Sequence, residues 1–181
     1  MTLKCSVFIA ASLNGFIARR NGDISWLTDP SFQLSNEDFG YKAFWDSIDI
    51  LVMGWKTYAA ALTFPEWPYT GKRVVVLSHG SPHIPERLAG LVDVMTGEPG
   101  ELAEQLEKSG ARHLYIDGGK TIQGFLKARL IEEMTITTIP ILLGEGIPLF
   151  DALDQDIHLT LLDSHDYPNG FVQNKYRLIN P

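Results

Sequence analysis

Through the first two thirds of the chain, apolar runs of strand length alternate with amphipathic stretches of helical period. Residues 3–11 are apolar and β-branched and predict a buried strand. Residues 12–30 read as a long loop, with the turn dipeptides Asn14-Gly15 and Asn21-Gly22. Residues 36–47 place Phe39, Ala43 and Phe44 at helical spacing. A short apolar strand over 48–53 ends at Gly54 and leads into a helix over 55–62. Strands follow at 73–77, with three consecutive valines, and at 91–95. Residues 100–109 predict a helix, with Leu102, Ala103 and Leu106 inward, Glu101, Glu104 and Glu107 outward, and Gly110 as its stop. A strand over 113–117 and a helix over 120–130, with Ile122, Phe125, Leu126 and Leu130 on one face, complete this part.

Beyond Leu130 the period changes. Residues 132–139 are Thr/Ile-rich and strand-like, stopped by Pro140. Residues 157–162 and 171–179 alternate, the latter with Val172, Tyr176 and Leu178 on one face, and Pro168-Asn169-Gly170 marks a turn between them. The expected fold class is therefore α/β: a mixed, mostly parallel sheet with helices on its faces, ending in an antiparallel hairpin. The length of 181 residues suits one domain over 1–181.

With 45% hydrophobic and 20% charged residues, the chain is no disordered polymer. A net charge of −7 without a basic block argues against nucleic acid or an anionic membrane as partner. The single cysteine, Cys5, excludes an internal disulfide framework and a cysteine metal cluster, and fits a reducing cytoplasm. No run is long enough to span a membrane. Lys4 followed by apolar residues 5–11 has the look of a short secretory signal, but Asn14 and Gly15 interrupt it early, so a strand is the better reading.

Two places share one physical design. The strand 48–53 runs into Gly54 and a helix opened by Trp55-Lys56-Thr57; the strand 113–117 runs into Gly118-Gly119 and a helix opened by Lys120-Thr121. Each offers glycine for close approach, free N–H groups at a helix start, a cation and a hydroxyl, which are the requirements for phosphate. Parallel strands would set both on the carboxyl edge of the sheet, an arrangement suited to a dinucleotide. Neither GxGxxG nor GxxxxGK[ST] occurs. The five histidines are scattered, and Pro82 separates His79 from His83, so no metal site is expected. Ser12, Ser78 and Ser81 lack a nucleophile-elbow context. Asp29, Glu37 and Asp38 are candidates for one carboxylate beside a pocket, with Asp38 as the chosen acid. Trp26 is either a core residue or a pocket wall.

Residues 52–58, Val-Met-Gly-Trp-Lys-Thr-Tyr, resemble the V-M-G-R-x-T-Y signature of dihydrofolate-reductase-like proteins, and residues 116–122, followed by Phe125-Leu126, resemble their second glycine motif. Residues 11–18, Ala-Ser-Leu-Asn-Gly-Phe-Ile-Ala, and Pro140, Leu143-Gly144-Glu145-Gly146 and Leu149-Phe150 are closer to the reductase domain of the riboflavin-biosynthesis deaminase/reductase. The resemblance implies a three-layer α/β/α fold and bound NADPH. Gly54, Lys56 and Thr57 would hold the pyrophosphate and 2′-phosphate, Leu77 and Ser78 would border the adenosine, and Gly118, Gly119, Lys120, Thr121 and Ile122 would hold the remaining phosphate. Ala11 and Ile17 would border the nicotinamide, with Asn14 and Trp26 on the substrate side. It also implies a cis peptide at Asp117-Gly118, a homodimer, and hydride transfer to a pyrimidine carrying a ribosylamino phosphate; a pteridine acceptor and a non-catalytic NADP-binding module are the alternatives. Three departures stand out: Trp55 replaces the usual Arg, leaving Lys56 or Arg73 for the 2′-phosphate; Asn14 replaces Asp; and Ser31 stands where bacterial dihydrofolate reductases carry their acid.

Overall fold

A computed structural model describes residues 3–179. Its strands are β1 (Lys4–Ser12), β2 (Phe16–Ala18), β3 (Ile50–Gly54), β4 (Arg73–Leu77), β5 (Val92–Met95), β6 (His113–Asp117), β7 (Glu133–Ile139), β8 (Ile147–Pro148), β9 (His158–Asp166) and β10 (Val172–Ile179). Its helices are α1 (Tyr41–Ser47), α2 (Trp55–Ala61), α3 (Pro99–Lys108) and α4 (Gly119–Lys127). Eight strands form one sheet in the order β5-β4-β3-β6-β1-β7-β10-β9, while β2 and β8 make a separate ribbon. Pairing is parallel from β5 through β7; β10 and then β9 turn antiparallel. This is the mixed sheet with a terminal hairpin that the alternation predicts.

The sheet is covered on both faces, which is why its central strands read as unbroken apolar runs. Ile50, Val52, Leu114 and Ile116 pack with Leu106 of α3 and Ile122, Phe125 and Leu126 of α4. Leu51, Met53 and Tyr115 point the other way, toward Tyr41, Phe44 and Trp45 of α1 and Tyr58 of α2. Cys5 is fully inside the first cluster, a packing residue whose thiol burial pushes up to about 12.

Four elements differ from their sequence expectation. The stretch 12–30 contains β2 and a short 3-10 turn over Ser25–Thr28, because residues 16–18 pair with the distant Ile147 and Pro148, beyond local pattern. The first helix begins only at Tyr41: Asn36 and Phe39 have φ of 61° and 56°, so the backbone before it cannot be helical. α4 ends at Lys127, and Arg129 turns the chain with φ 56°. β9 is longer than expected and exposed along its whole length. The expected cis peptide is absent among the described residues; Gly118 makes the turn with φ +87° instead.

Glu133 fastens three strands. Its carboxylate takes Lys4 Nζ of β1 at 2.8 Å, Lys175 Nζ of β10 at 3.2 Å and Arg177 of β10 at 3.4 Å, with the side chain 13% exposed. Burial works against the charge, but the hydrogen bonds and charges of Lys4 and Lys175 prevail and pull the group from 4.5 to about 2. A depressed carboxylate contributes stability that is present above its unfolded value and is lost as pH falls toward its folded one. Glu133→Gln is therefore expected to cost on the order of 2–3 kcal/mol at neutral pH and to weaken the loss of stability between about pH 4.5 and 2, measured by urea unfolding across that range. Equal acid sensitivity in both proteins would contradict it.

Candidate functional site: a crevice between two glycine turns

β3 continues through α2 to β4 on one side of the sheet, while β6 continues through α4 to β7 on the other side. β3 and β6 are nonetheless direct neighbours, with Met53 beside Asp117. The chain thus diverges at their carboxyl ends, the position where open α/β sheets leave a ligand crevice. The two glycine turns predicted from sequence face each other there. A Cβ on Gly54 would lie 3.1 Å from Oγ1 of Thr121 in α4, and a Cβ on Gly118 would collide with Oγ1 of Thr57 in α2. Each helix thus rests its first-turn threonine on the other's glycine.

α4 is the better-defined anion cradle. Its first intrahelical bond runs from Ile122 N–H to Gly118 C=O at 2.9 Å, and no side chain caps the helix. By helix geometry the N–H groups of Gly119, Lys120 and Thr121 are left without helical acceptors, at the positive end of the dipole. Lys120 is exposed and 3.5 Å from Asp151. The ribbon closes the far side: a Cβ on Gly119 would lie 3.2 Å from both Ile17 Cδ1 and Pro148 C=O. Gln123 holds that ribbon by donating to Pro148 C=O at 3.0 Å and Leu149 C=O at 3.3 Å. Ala11 is buried in the core cluster that also holds Ile122 and against which Ile17 packs. Leu77 pairs with Gly54, so Leu77 and Ser78 border the same edge next to α2. Lys56 and Trp55 are exposed on the first turn of α2.

Other expected residues lie elsewhere or do different work. Asp38 is exposed, and its carboxylate accepts from the backbone N–H of Gly40 and Lys42, both at 3.0 Å. Those bonds, the one from Lys42 first, hold it below the usual carboxylate range, so it caps the start of α1 as an anion. Trp26 is 4% exposed in a cluster with Ile139, Leu143 and Phe171, which makes it a core residue. Asn14 spends its amide on the 140s loop: Nδ2 donates to Leu143 C=O at 2.7 Å and Oδ1 accepts from Leu143 N–H at 3.2 Å. It locks that loop to the turn before β2. Arg73 starts β4 at the opposite edge and pairs with Asp93 at 2.6 Å, out of reach of the crevice. Ser31 bonds to Asp29 at 2.6 Å.

The acid that pattern reading passed over is Asp117. It is the last residue of β6 and partly buried, and burial raises it from 3.8 to about 6, against the opposing bond from Gly118 N–H. His113, Tyr115 and Asp117 share one face by strand alternation. Tyr115 donates to Phe8 C=O at 2.7 Å, and after burial the Asp117 charge is what raises Tyr41, Tyr69 and Tyr115. The available signal was an acid at the final, inward position of a buried strand, directly before two glycines. A separate cleft of about 330 Å³ opens under α1 near Ser6, Phe44 and His113. There Ser6 Oγ lies 2.8 Å from His113 Nε2, away from the glycine turns.

The sheet order, the crevice and the flanking helices define a dihydrofolate-reductase-like α/β protein. At the level of fold, it matches Enterococcus faecalis dihydrofolate reductase, solved with NADP(H), with a TM-score of 0.65, 15% identity, and coverage of 98% of this chain and 97% of that one. The chain belongs to the RibD C-terminal domain family, whose sequence model matches residues 4–173. It is 32% identical to Bacillus subtilis YwjB over 162 residues, 89% of this chain and 90% of that one. A Shewanella sp. PV-4 protein provisionally assigned to riboflavin biosynthesis matches with a TM-score of 0.91 and 38% identity over 98% of this chain and all of that one.

The interlock separates two glycines of similar backbone. Gly118 and Gly22 have φ of +87° and +86°, but a Cβ meets Thr57 at the first and nothing within 4 Å at the second. Gly22→Ala is expected to cost about 1–2 kcal/mol, the left-handed penalty alone, and Gly118→Ala at least about 1 kcal/mol more. Thermal and urea unfolding measure both; equal losses would mean that Thr57 does not press on Gly118.

Proposed function

We propose that the protein is a cytoplasmic NADPH-dependent reductase that transfers a hydride to a pyrimidine bearing a ribosylamino phosphate, as the riboflavin branch of its family implies. The facing glycine turns carry this reading: two helix starts meet at the carboxyl ends of adjacent parallel strands, a placement that suits a diphosphate-bridged dinucleotide. Gly118, Gly119, Lys120, Thr121 and Ile122 would take one phosphate on α4. Gly54, Lys56 and Thr57 would take the other and the 2′-phosphate, with Leu77 and Ser78 along the adenosine. Arg73 drops out of that set, because it is paired at the far edge. Ala11 and Ile17 would flank the nicotinamide. NADPH, when bound, supplies the hydride; the chain positions the acceptor and excludes water.

Asp117 is the proposed proton donor in place of Asp38. With a value of about 6 it is still partly protonated near neutrality, whereas Asp38 is not. Asp117 is half protonated at about 6 and almost wholly so a unit or more below, so the rate of the chemical step is expected to fall as pH rises through that value. Asp117→Asn should lower kcat by roughly 10²-fold or more and remove that pH dependence, while leaving NADPH affinity within a few-fold. A pH-rate profile unchanged in the variant would remove Asp117 from the role.

Calorimetric titration with NADPH and NADH tests the cofactor. Tighter binding of NADPH is expected, with about tenfold weakening in Thr57→Ala through loss of one hydroxyl contact. Absence of heat with either cofactor would overturn the proposal. Loss of nicotinamide absorbance with the phosphoribosylamino pyrimidine, and not with dihydropteridines, supports the acceptor. Turnover of the pteridine alone would reassign it, and binding without any turnover would leave a nucleotide-binding module.

A further inference from the structure

α1 runs back along the face of β6 that carries His113, Tyr115 and Asp117. At its end the carbonyl of Ser47 lies 3.0 Å from Nδ1 of His113. One turn earlier, Phe44 meets Tyr115 edge-on, with ring centres 5.0 Å apart. A further turn earlier, Tyr41 therefore comes to the level of Asp117, the last residue of the strand. Its ring is held there by Phe8, edge-on at 5.6 Å, and by Trp45, stacked at 6.0 Å.

A second tyrosine reaches the same place from the segment after α2. Trp67 enters the core, 8% exposed, and packs edge-on against Tyr58 at 5.8 Å and Tyr69 at 5.1 Å. Anchored in this way, Tyr69 lies 6.0 Å from Trp45, so Trp45 has a tyrosine on each side. Burial, and after it the Asp117 charge, raises both phenols, Tyr41 to about 12, so both stay neutral and able to donate a hydrogen bond. No lysine or arginine charge acts on either hydroxyl.

The hydroxyls of this cluster are not all occupied. Tyr115 spends its own on Phe8 C=O at 2.7 Å. Those of Tyr41 and Tyr69 have no hydrogen-bond partner among the described residues, and neither is sealed from solvent as the hydroxyl of Tyr58 is. Asp117 uses one carboxylate oxygen, on Gly118 N–H at 2.8 Å. Two open neutral donors and a carboxyl group thus gather among aromatic rings, one residue before the Gly118 turn. Convergent polar groups on an apolar, aromatic lining are what a small planar ligand requires.

We propose that Tyr41 and Tyr69 bind the hydride acceptor, donating hydrogen bonds to the carbonyl or ring-nitrogen atoms of an uncharged planar heterocycle and holding it beside Asp117. An acceptor ring bearing its own carboxylate is excluded, because it would meet Asp117 with no cation to offset either charge. That the bound ring is the hydride acceptor rests on the reductase reading above; the binding itself does not.

Calorimetric titration of the full chain without cofactor tests it, using 5,6-diaminouracil, the ring of the proposed acceptor without its ribosyl phosphate. The wild type is expected to bind it below millimolar concentration. Tyr41→Phe and Tyr69→Phe keep the rings and lose only the hydroxyls. Each should weaken binding about three- to tenfold, with an unchanged melting temperature and NADPH affinity within about twofold. Tyr115→Phe removes a hydroxyl that is already engaged, so it should lower the melting temperature and leave the affinity for diaminouracil unchanged. Orotate, the same pyrimidine ring with a carboxylate, should not bind. Absence of diaminouracil binding in the wild type, equal binding in the two Phe variants, or equal binding of orotate overturns the proposal. Hydroxyl-dependent binding of diaminouracil in a protein that gives no heat with NADPH would support the pocket and remove the reductase reading.

Discussion

The structure turns on the contact between two helix starts at the carboxyl ends of β3 and β6. These strands are hydrogen-bonded neighbours, yet their helices leave to opposite faces of the sheet. Thr57 sits on Gly118 and Thr121 sits on Gly54, so a side chain at Gly118 would collide and one at Gly54 would crowd the facing threonine. The glycines are thus fixed by packing first. What each turn offers a phosphate is its helix-start N–H groups, the space of the missing Cβ being filled by the facing threonine. The β2–β8 ribbon rests on Gly119 and is held by Gln123, which ties the opposite wall of the crevice to the same helix.

Carboxylates show how position assigns work within an acidic chain. Glu133 is surrounded by three cations and stays ionised far into acid, so it serves the sheet. Asp38 is ionised because backbone N–H groups of α1 bind it. Asp117 has burial and only one opposing N–H, and so retains a proton to higher pH. Three acids of similar intrinsic strength therefore become a fastener, a cap and a proposed donor through their neighbours alone.

Much of this was legible in the chain. β4 and β6 lie where their apolar runs place them, because both are buried on two faces and bounded by turn residues. The glycine motifs were visible because a strand, a glycine and a helix start in succession leave little conformational choice. Features that depend on distant partners were not visible. β2 exists only through β8, and Asn14 clamps a segment 129 residues away. Asp38 looked like a pocket acid because sequence order does not show a carboxylate folding back onto the next helix. Asp117 was hidden inside a motif read for its glycines. Trp26 became core only once Ile139, Leu143 and Phe171 were brought around it.

Hydrogen exchange of the backbone, measured with and without NADPH, tests the central claim most directly. If the interlocked turns hold one dinucleotide, amides of residues 54–58 and 118–122 will slow together on addition of NADPH, with the same concentration dependence. Protection confined to one turn, or protection of neither at saturating NADPH, would contradict the account.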